Sequence, residues 1–362
     1  MPSAPNPIAP SGVPAPLQDN PMQLAAPVKI TVSYTASCPL DCRHCYARCG
    51  DAHSDKELTA AEWIEFLDAR LDAGVVSILF EGGEPLQRPD FLKVLASTST
   101  RALTRVRTNG WLVTEALAKQ LKAIGVGTVL VDFMGARADT HDWFAQRPDA
   151  FDRACTAVRH LVAASVPTQM LIILNRRNMG ELATFLRLAR DLGVDTVGIL
   201  RLYPIGRAKE LWADLAMTLD EQMAVLKALR PPDGMRVMQS WHPNNGNCCW
   251  QMAAVDARGN SIGCSYLREF VNYGNVRDVT FETTWQHPLY RRLRQGQVEA
   301  SCTSCSDREG SHGGCRSTAF AFHGRWSAPD PYDSELNKGV DLRDLPQWML
   351  QARPRPPDET PA

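Results

Sequence analysis

Residues 28–46 read VKITVSYTASCPLDCRHCY, and this stretch decides the fold class. Apolar and polar residues alternate over positions 28–34, which predicts a β-strand. Cys38, Cys42 and Cys45 follow at once as a CxxxCxxC run. Three thiolates can hold only three irons of a [4Fe–4S] cluster, whose full protein ligation takes four. The stretch therefore predicts a strand that leads into an iron–sulfur site with one iron open to a ligand other than protein.

Behind this stretch the chain repeats a strand-then-helix pattern. Apolar, β-rich runs predict strands at residues 29–34, 75–80, 104–107, 128–132, 168–174 and 196–200. Amphipathic runs predict helices at residues 59–73, 115–124, 151–163, 179–192 and 219–229. Strands that alternate with helices indicate a parallel sheet, and six such units are fewer than the eight of a closed barrel. We therefore expect an α/β fold, a partial (β/α)6 TIM-like barrel.

The composition excludes several classes of protein. A formal net charge of −1 gives no field that would draw the chain to nucleic acid or to an anionic membrane. No apolar run approaches the ~20 residues that span a bilayer, and the N-terminus lacks the pattern of a signal peptide. The eleven cysteines are clustered, which indicates metal binding in a reducing compartment rather than a disulfide scaffold. We expect a cytoplasmic protein with no nucleic-acid or membrane partner.

The 362 residues allow one large domain and a smaller one. Residues 1–27 are rich in Pro and Ala, and residues 351–362 are Pro-rich and charged, so we expect disorder at both ends. The strand-then-helix pattern stops at the PPDG sequence of residues 231–234, beyond which loops and cysteines dominate. We therefore expect the barrel over residues 28–232 and a small, loop-rich, cysteine-rich domain over residues 233–350.

A second motif ends the second predicted strand, where residues 80–85 read FEGGEP. Paired glycines let the backbone approach a ligand closely. Together, the CxxxCxxC run and this motif at the next strand end resemble the radical S-adenosylmethionine (SAM) superfamily. A zinc site with His44 or Cys49 as its fourth ligand is the alternative for the cysteine run. The FEGGEP motif has no place in that alternative.

The resemblance implies which residues hold the cofactors. In the family pattern the three cysteines ligate the catalytic [4Fe–4S] cluster, whose open iron is chelated by SAM, and Gly82, Gly83 and Glu84 contact the SAM amino group. Further cofactor contacts are expected from Tyr46, Asn109, Asp132, Asn175 and Arg201. The chain departs from relatives at residues 132–135, where DFMG stands in place of a common SxDG pattern. For Arg201 and Arg207, salt bridges at the rim of the barrel are the alternative to ligand contact.

The resemblance also implies the chemistry. An external reductant such as flavodoxin or ferredoxin delivers one electron to the catalytic cluster, and SAM is cleaved to methionine and a 5′-deoxyadenosyl radical. That radical abstracts a hydrogen atom from a substrate at the mouth of the barrel. The protein supplies positioning and the exclusion of water, and the cofactors supply the chemistry. The alternative from another functional class is an electron-transfer protein or a cluster carrier without catalysis. That alternative leaves the FEGGEP motif unexplained.

The remaining cysteines resemble the SPASM/twitch extensions, which bind auxiliary iron–sulfur clusters. Cys249, Gly259 and Cys264 follow the spacing Cx9Gx4C, and Cys302, Cys305 and Cys315 follow further on. Two positions where the full pattern has cysteine hold Ser311 and Asp333. We therefore expect one auxiliary [4Fe–4S] cluster, ligated by Cys249 (or Cys248), Cys264, Cys302, Cys305 and Cys315. A structural zinc knuckle is the alternative. Cys155 lies in a helical run and is expected to be a buried apolar residue.

The substrate is the least specified part of the prediction. SPASM-type relatives most often modify ribosomally made peptides or proteins, so peptide maturation is the leading hypothesis. Tailoring of a small molecule, such as a tetrapyrrole or an aminoglycoside, is the alternative. The 27 N-terminal residues are too few and too Pro-rich to form a leader-binding domain, so a separate leader-binding partner is expected for a peptide substrate.

Overall fold

The fold is built on parallel β-strands. In the computed structural model, residues 24–50, 56–240, 251–294, 314–334 and 336–351 are described. The strands are Lys29–Thr35 (β1), Ser77–Gly82 (β2), Leu103–Thr108 (β3), Thr128–Phe133 (β4), Thr168–Leu174 (β5), Thr196–Arg201 (β6), Arg236–Gln239 (β7) and Met252–Val255 (β8). The first six confirm the six strands predicted from the sequence.

One sheet contains these strands in the order β7-β6-β5-β4-β3-β2-β1-β8. Every neighbouring pair is parallel, and the register places Val32 of β1 opposite Phe80 of β2. Because consecutive strands are neighbours from β1 to β7, the carboxyl ends of all these strands lie along one edge of the sheet. The sheet is open, with β7 and β8 at its two sides. The predicted partial barrel is thus confirmed and is extended by one short strand on each side.

Helices follow most of the strands. They are Ala60–Asp72 (α1), Phe91–Ser99 (α2), Glu115–Ile124 (α3), Ala138–Ala145 (α4), Ala150–Ala163 (α5), Leu182–Asp191 (α6), Trp212–Leu215 (α7), Leu219–Ala228 (α8), Phe281–Trp285 (α9), Pro288–Arg294 (α10), Arg316–His323 (α11) and Gln347–Gln351 (α12). The five predicted helices correspond to α1, α3, α5, α6 and α8, whereas α2 and α4 were not predicted. No helix in the described ranges is long and apolar enough to cross a membrane.

Sequence-encoded caps fix several helix ends. At the start of α1, the Thr59 side chain accepts a hydrogen bond from the Glu62 backbone, and the Glu62 carboxylate accepts one from the Thr59 backbone. Thr218 and Glu221 form the same reciprocal pair at the start of α8. Such a pair satisfies two of the backbone N–H groups that the first turn of a helix leaves unbonded. These caps fix where α1 and α8 begin. They supply no side chain to the edge of the sheet where the strands end.

Aromatic side chains fill the core between sheet and helices. Phe80 of β2 packs edge-on against Phe91 of α2, with ring centroids 5.4 Å apart, and Phe133 of β4 lies 5.9 Å from Phe185 of α6. All four are buried. Cys155 of α5 is also buried, as predicted for a small apolar residue. Burial of these rings together with the surrounding Leu, Val and Ile side chains stabilises the barrel.

The C-terminal region shares the sheet with the barrel. Strand β8, which lies beyond the predicted boundary at residues 232/233, pairs with β1 along residues 29–32. A contiguous sheet therefore crosses that boundary, and the cysteine-rich region is attached to the barrel through β1. The ends predicted to be disordered, 1–27 and 351–362, lie outside the described ranges except for residues 24–27 and the backbone of Gln351.

Candidate active site at the mouth of the barrel

A cavity of about 90 Å³, open to solvent, lies where β1 to β5 end. Open parallel sheets place their ligand sites at this edge. The lining residues come from the strand ends and from the loop behind β6: Cys38, Leu40, Cys42, His44, Cys45, Tyr46, Cys49, Glu81, Gly82, Gly83, Arg107, Thr108, Asn109, Asp132, Phe133, Met134, Ile173 and Arg207. The three predicted cluster ligands thus line one cavity together with Gly82, Gly83, Asn109, Asp132 and Tyr46.

The three cysteines lie on the loop that follows β1, which we call the cluster loop (residues 36–50). Hydrogen bonds already reach two of their sulfurs: the Asn109 side-chain amide donates to Cys38 Sγ over 3.4 Å, and the Cys49 backbone N–H donates to Cys45 Sγ over 3.4 Å. Donors aimed at thiolate sulfur are a feature of iron–sulfur sites, where they help to set the reduction potential. The donor set therefore suits a cluster held by Cys38, Cys42 and Cys45.

The pKa values of these three thiols are shifted by their surroundings, which bears on metal binding. Burial raises the pKa of Cys38 to about 12 and raises the pKa of Cys42 well above its ordinary value. Hydrogen bonding with Cys49 lowers the pKa of Cys45 to about 6. A metal ion beside a thiol removes its proton outright. Cationic iron bound at this loop would remove the protons from the Cys38 and Cys42 thiols, as the predicted role of these residues requires.

Arg207 and Gly206 hold the cluster loop from the side of β6. The Arg207 guanidinium donates to the carbonyl oxygens of Cys42 and Cys49 over 2.7 and 2.8 Å, and its backbone N–H donates to the Cys45 carbonyl over 2.9 Å. Gly206 has a φ of +64°, and a Cβ there would collide with the Cys45 carbonyl. The PxGRA segment therefore lets the backbone behind β6 approach the loop closely. Arg207 forms the salt bridge that was its alternative role, with the exposed Asp41 over 2.8 Å, and it also lines the cavity.

The two glycines of the FEGGEP motif also permit a close approach. Gly82 has a φ of +136°, and a Cβ on it would collide with the carbonyl of Thr35. A Cβ on Gly83 would collide with the carbonyl of Ser37. The end of β2 instead donates hydrogen bonds from its backbone to these carbonyls: Gly83 N to Thr35 O over 2.6 Å and Glu84 N to Ser37 O over 2.8 Å. The motif thus lies directly beside the first cluster ligand.

Glu84 is fully buried and bonds within the protein. Its carboxylate accepts hydrogen bonds from Thr108 Oγ1 over 2.9 Å, from the Asn109 N–H over 2.8 Å and from the Leu86 N–H over 3.2 Å. Burial raises the pKa of this carboxyl to about 7. The Glu84 side chain is not part of the cavity lining. In this arrangement it fixes the turn that carries Asn109, and Asn109 in turn contacts Cys38.

Charged and hydroxyl groups form a network on the cavity wall. Arg107 of β3 pairs with Asp132 of β4 over 2.8 Å. Burial lowers the pKa of Arg107, but the Asp132 carboxylate more than offsets this, so the pKa stays well above its ordinary value. Tyr46 donates to Glu81 Oε1 over 2.8 Å, and Ser265 of the C-terminal region donates to the same oxygen. The cysteine-rich region therefore contacts the cavity wall through Ser265.

His44 contributes a neutral ring to the cavity. It is buried, and its Nδ1 has no hydrogen-bond partner among the described residues. Burial, assisted by the charge of Arg107, lowers its pKa to about 3. The ring packs edge-on against Phe144 with centroids 4.8 Å apart. His44 is thus an uncharged cavity group with a free acceptor or donor nitrogen.

Besides Glu84, two more residues predicted to contact the cofactor, Asn175 and Arg201, lie outside the cavity lining. The side chain of Asn175 bonds to its own loop, with Nδ2 donating to Ile173 O over 2.9 Å. Arg201 is buried and pairs with Asp330 of the C-terminal region over 2.8 Å, while its guanidinium faces the rings of Tyr203 and Tyr332. Arg201 therefore corresponds to the salt-bridge alternative, except that the bridge is buried rather than at the rim.

The described auxiliary cysteines, Cys264 and Cys315, are both tied to the end of β6. Asp330 accepts a hydrogen bond from the Cys315 N–H over 2.8 Å with the same oxygen that pairs with Arg201. Tyr266, just beyond Cys264, stacks on Tyr203 at a centroid distance of 3.7 Å. Asp333 is buried, and its Oδ1 accepts from the Leu336 N–H over 3.3 Å. The other predicted ligands, Cys248, Cys249, Cys302 and Cys305, lie outside the described residues, as does Ser311.

Sequence reasoning assigned no role to some residues of the cavity. Arg107 was not singled out, although a charged residue one position before a strand-end Thr-Asn-Gly turn is itself a signal. Cys49, which the sequence suggested only as a fourth ligand in the zinc alternative, lines the cavity, and its backbone contacts Cys45. Met134 and Ile173 complete the apolar wall and carry no signal that distinguishes them from core residues.

Comparison with family profiles agrees with both regions of the structure. The profile of the radical SAM superfamily matches residues 32–189, and the profile of the SPASM iron–sulfur cluster-binding domain matches residues 248–306. The first match contains the cluster loop and the FEGGEP motif. The second contains four of the five predicted auxiliary ligands, Cys249, Cys264, Cys302 and Cys305.

Several curated proteins are similar over most of the chain. The AdoMet-dependent heme synthase of Methanosarcina barkeri is 30% identical, and the alignment covers 85% of this chain and 96% of that protein. The mycofactocin maturase MftC of Mycobacterium tuberculosis is 30% identical over 85% of this chain and 83% of its own length. The PqqA peptide cyclase of Gluconobacter oxydans is 26% identical over 90% of this chain and 97% of its own length.

Solved structures share the fold at low sequence identity. SuiB of Streptococcus suis bound to S-adenosylmethionine has a TM-score of 0.69 at 14% identity, with 91% of this chain and 78% of that chain covered. Native anSMEcpe with bound AdoMet and the Cp18Cys peptide has a TM-score of 0.62 at 16% identity, with 86% and 94% covered.

Proposed function

The chain belongs to the radical SAM superfamily and carries a SPASM iron–sulfur domain, and on this premise we propose that it is a maturase of a ribosomally made peptide. Its cofactors are SAM, a SAM-binding [4Fe–4S] cluster and auxiliary iron–sulfur in the SPASM region. The observation that carries the proposal is similarity over nearly the whole chain to two peptide-modifying relatives, the mycofactocin maturase and the PqqA peptide cyclase.

The cluster with SAM bound supplies the one-electron cleavage of a sulfonium that begins radical chemistry. The residues of this chain then have positional roles. Cys38, Cys42 and Cys45 would hold the cluster, and Arg207 fixes the loop that bears them. Gly82 and Gly83 bring the end of β2 beside the cluster loop, where we expect the SAM amino group.

The remaining cavity wall orients the reactants and limits access of water. The Arg107–Asp132 pair and the neutral His44 ring supply polar groups, which we propose contact SAM or the substrate. Tyr46, Tyr266 and Tyr203 form a contiguous aromatic wall between the cluster loop and the cysteine-rich region. An apolar wall of this kind excludes water from the site and so protects a reactive radical from side reactions.

Tailoring of a tetrapyrrole is the second candidate function, because the heme synthase relative is equally similar and is matched over 96% of its length. A tetrapyrrole carries several carboxylates, which require cationic partners when they are buried. Within the described lining, the cationic side chains are Arg107 and Arg207, and both already pair with carboxylates, Asp132 and Asp41. The cavity thus suits an uncharged peptide side chain better than a polycarboxylate.

The partners and compartment complete the proposal. An acidic flavodoxin or a ferredoxin would deliver the electron, and a separate leader-binding protein would present the peptide. The clustered cysteines favour the reducing cytoplasm.

Deuterium transfer tests the proposed function directly. The reconstituted enzyme is incubated without oxygen with SAM, reductant and either a short peptide encoded beside it or a tetrapyrrole with propionate side chains, each deuterated. We expect deuterium in 5′-deoxyadenosine and a mass change in the peptide. A Cys155→Ala variant is the matched control, because it removes a buried thiol that is not among the predicted cluster ligands. Deuterium transfer from the tetrapyrrole alone would establish the second candidate in place of the first.

A further inference from the structure

Two tryptophans at the rim of the barrel are each covered by two arginines. The guanidinium carbons of Arg147 and Arg153 lie 4.7 and 4.2 Å from the ring centroid of Trp111. Those of Arg43 and Arg177 lie 4.7 and 3.8 Å from the ring centroid of Trp143. We call this the arginine–tryptophan surface, and it consists of Arg43, Trp111, Trp143, Arg147, Arg153 and Arg177.

This surface adjoins the cluster loop. Arg43 lies between Cys42 and Cys45, and its Nε donates to the Trp143 carbonyl over 2.9 Å. Arg147 donates to the Pro39 carbonyl over 3.5 Å. Gly206 of the PxGRA segment contacts the same loop at Cys45 and Tyr46. The surface therefore contacts the loop that bears the predicted cluster ligands, and three of its four arginines are exposed.

The arginines of this surface are cationic groups without carboxylate partners. Arg147, Arg153 and Arg177 are exposed, and within the described ranges none of the four arginines makes an ion pair. Of the carboxylates nearby in sequence, Asp142 accepts from the backbone of residues 149 and 151, and Asp41 pairs with Arg207. Asp149 and Asp152 are exposed and form no ion pair with these arginines among the described residues. Stacking on tryptophan holds guanidinium groups in place while leaving their N–H donors free.

We propose that the arginine–tryptophan surface docks an acidic one-electron carrier protein that reduces the catalytic cluster. The inference rests on the cluster site of the proposed function. In each encounter the carrier is oxidised by one electron and the cluster is reduced by one electron, and no bond forms or breaks. Positive charge that is not neutralised within the chain selects a negative partner and accelerates its approach. A peptide substrate must instead reach the interior of the cavity, whereas this surface lies outside the loop.

The test removes two charges and keeps both tryptophans. Arg153→Gln with Arg177→Gln suits this purpose, because these two side chains contact the tryptophans and lie outside the cavity lining. The matched control is Arg187→Gln with Arg236→Gln, because both arginines are exposed. Arg187 lies on α6, and Arg236 is the first residue of β7, at the edge of the sheet opposite the one where the strands end. Both double variants change the net charge equally.

Two measurements are compared for the holoenzyme. One is the rate at which a reduced acidic flavodoxin bleaches the cluster absorbance at about 0.01 M salt, where charges act over about 30 Å. The other is the affinity for oxidised flavodoxin, which requires no turnover. For Arg153→Gln/Arg177→Gln we expect a fall of about tenfold in the flavodoxin rate and weaker binding. We expect that rate to match wild type at high salt, and dithionite to reduce both variants at the wild-type rate.

Three outcomes would overturn the proposal. The first is an unchanged flavodoxin rate and affinity in the Arg153→Gln/Arg177→Gln variant. The second is an equal loss in the Arg187→Gln/Arg236→Gln control, which would attribute the effect to net charge. The third is a raised KM for the peptide with normal reduction, which would assign the surface to substrate instead. A failure of the cluster itself is distinguishable, because dithionite reduction would then fail as well.

Discussion

Replacement of Asp330 by asparagine tests the junction between barrel and cysteine-rich region. Asp330 is buried, and its two oxygens accept from four donors: Arg201 Nη1 over 2.8 Å, the Cys315 N–H over 2.8 Å, Thr318 Oγ1 over 2.6 Å and the Tyr332 N–H over 3.1 Å. Asparagine has nearly the same shape but no charge. The change therefore leaves the Arg201 guanidinium buried without its counter-charge.

The expected loss follows from the burial of both partners. The side chains of Arg201 and Asp330 are 4% and 2% exposed. Removing one partner of a buried ion pair costs about 3–5 kcal/mol, because the remaining charge stays uncompensated. Asp68→Asn is the matched control, since the Arg101–Asp68 pair is 40% and 45% exposed and such pairs contribute about 0–1 kcal/mol.

The assay is urea unfolding of the cluster-free protein, followed by iron analysis after reconstitution. We expect Asp330→Asn to lose the larger amount of stability and to retain less auxiliary iron than Asp68→Asn. The double change Arg201→Met with Asp330→Leu should recover part of the stability, because it removes both charges. A loss below about 1 kcal/mol in Asp330→Asn would refute the buried pair.

The pH dependence of stability gives an independent check of the same pair. Burial alone would raise the pKa of Asp330, but Arg201 and the hydrogen bonds lower it below its ordinary value. A depressed carboxyl pKa contributes stability that is complete above the unfolded value of about 3.9 and is lost as pH falls further. We expect the difference between wild type and Asp330→Asn to shrink below that pH. A difference that grows with acid would contradict the assignment.

Three further predictions concern the two cluster sites. Arg207→Met removes two side-chain donors to cluster-loop carbonyls. We expect urea unfolding to show a loss of stability of about 2–3 kcal/mol. Unchanged stability and iron content would contradict the role of Arg207 in holding the cluster loop. Cys264→Ala with Cys315→Ala should spare uncoupled SAM cleavage but stop product formation, measured by chromatography, and product at the wild-type rate would show that these thiols are dispensable. Iron analysis should give about eight irons per chain, two [4Fe–4S] clusters; about four irons, or zinc in place of the second cluster, would reject that count.

The sequence was sufficient to predict the barrel and most of the cavity. Its strands are long enough for apolar alternation to appear, and the cysteine run and FEGGEP each follow a strand directly. Helix α2 was missed because Ser97, Thr98 and Ser99 have weak helix propensity, and in the structure their hydroxyls bond back to carbonyls of the same helix. Strand β7 was not predicted, because its four residues are too few for periodicity to be detected.

The partners of charged residues could not be read from the sequence. Arg201 and Asp330 are 129 positions apart, and no local pattern indicates that they meet. Glu84 was expected to contact the SAM amino group, whereas in the structure its carboxylate bonds to Thr108 and Asn109, which come from the next strand end. Such contacts depend on how the sheet and the C-terminal region pack, which is tertiary information.

The claim on which all the others depend is that Cys38, Cys42 and Cys45 hold a cluster that cleaves SAM. The most direct measurement is dithionite-dependent formation of 5′-deoxyadenosine by the protein in which all three cysteines are replaced by alanine, with Cys155→Ala as the control. We expect the control to form 5′-deoxyadenosine at the wild-type rate and the triple variant to form none. Continued formation by the triple variant would contradict the assignment of the catalytic site.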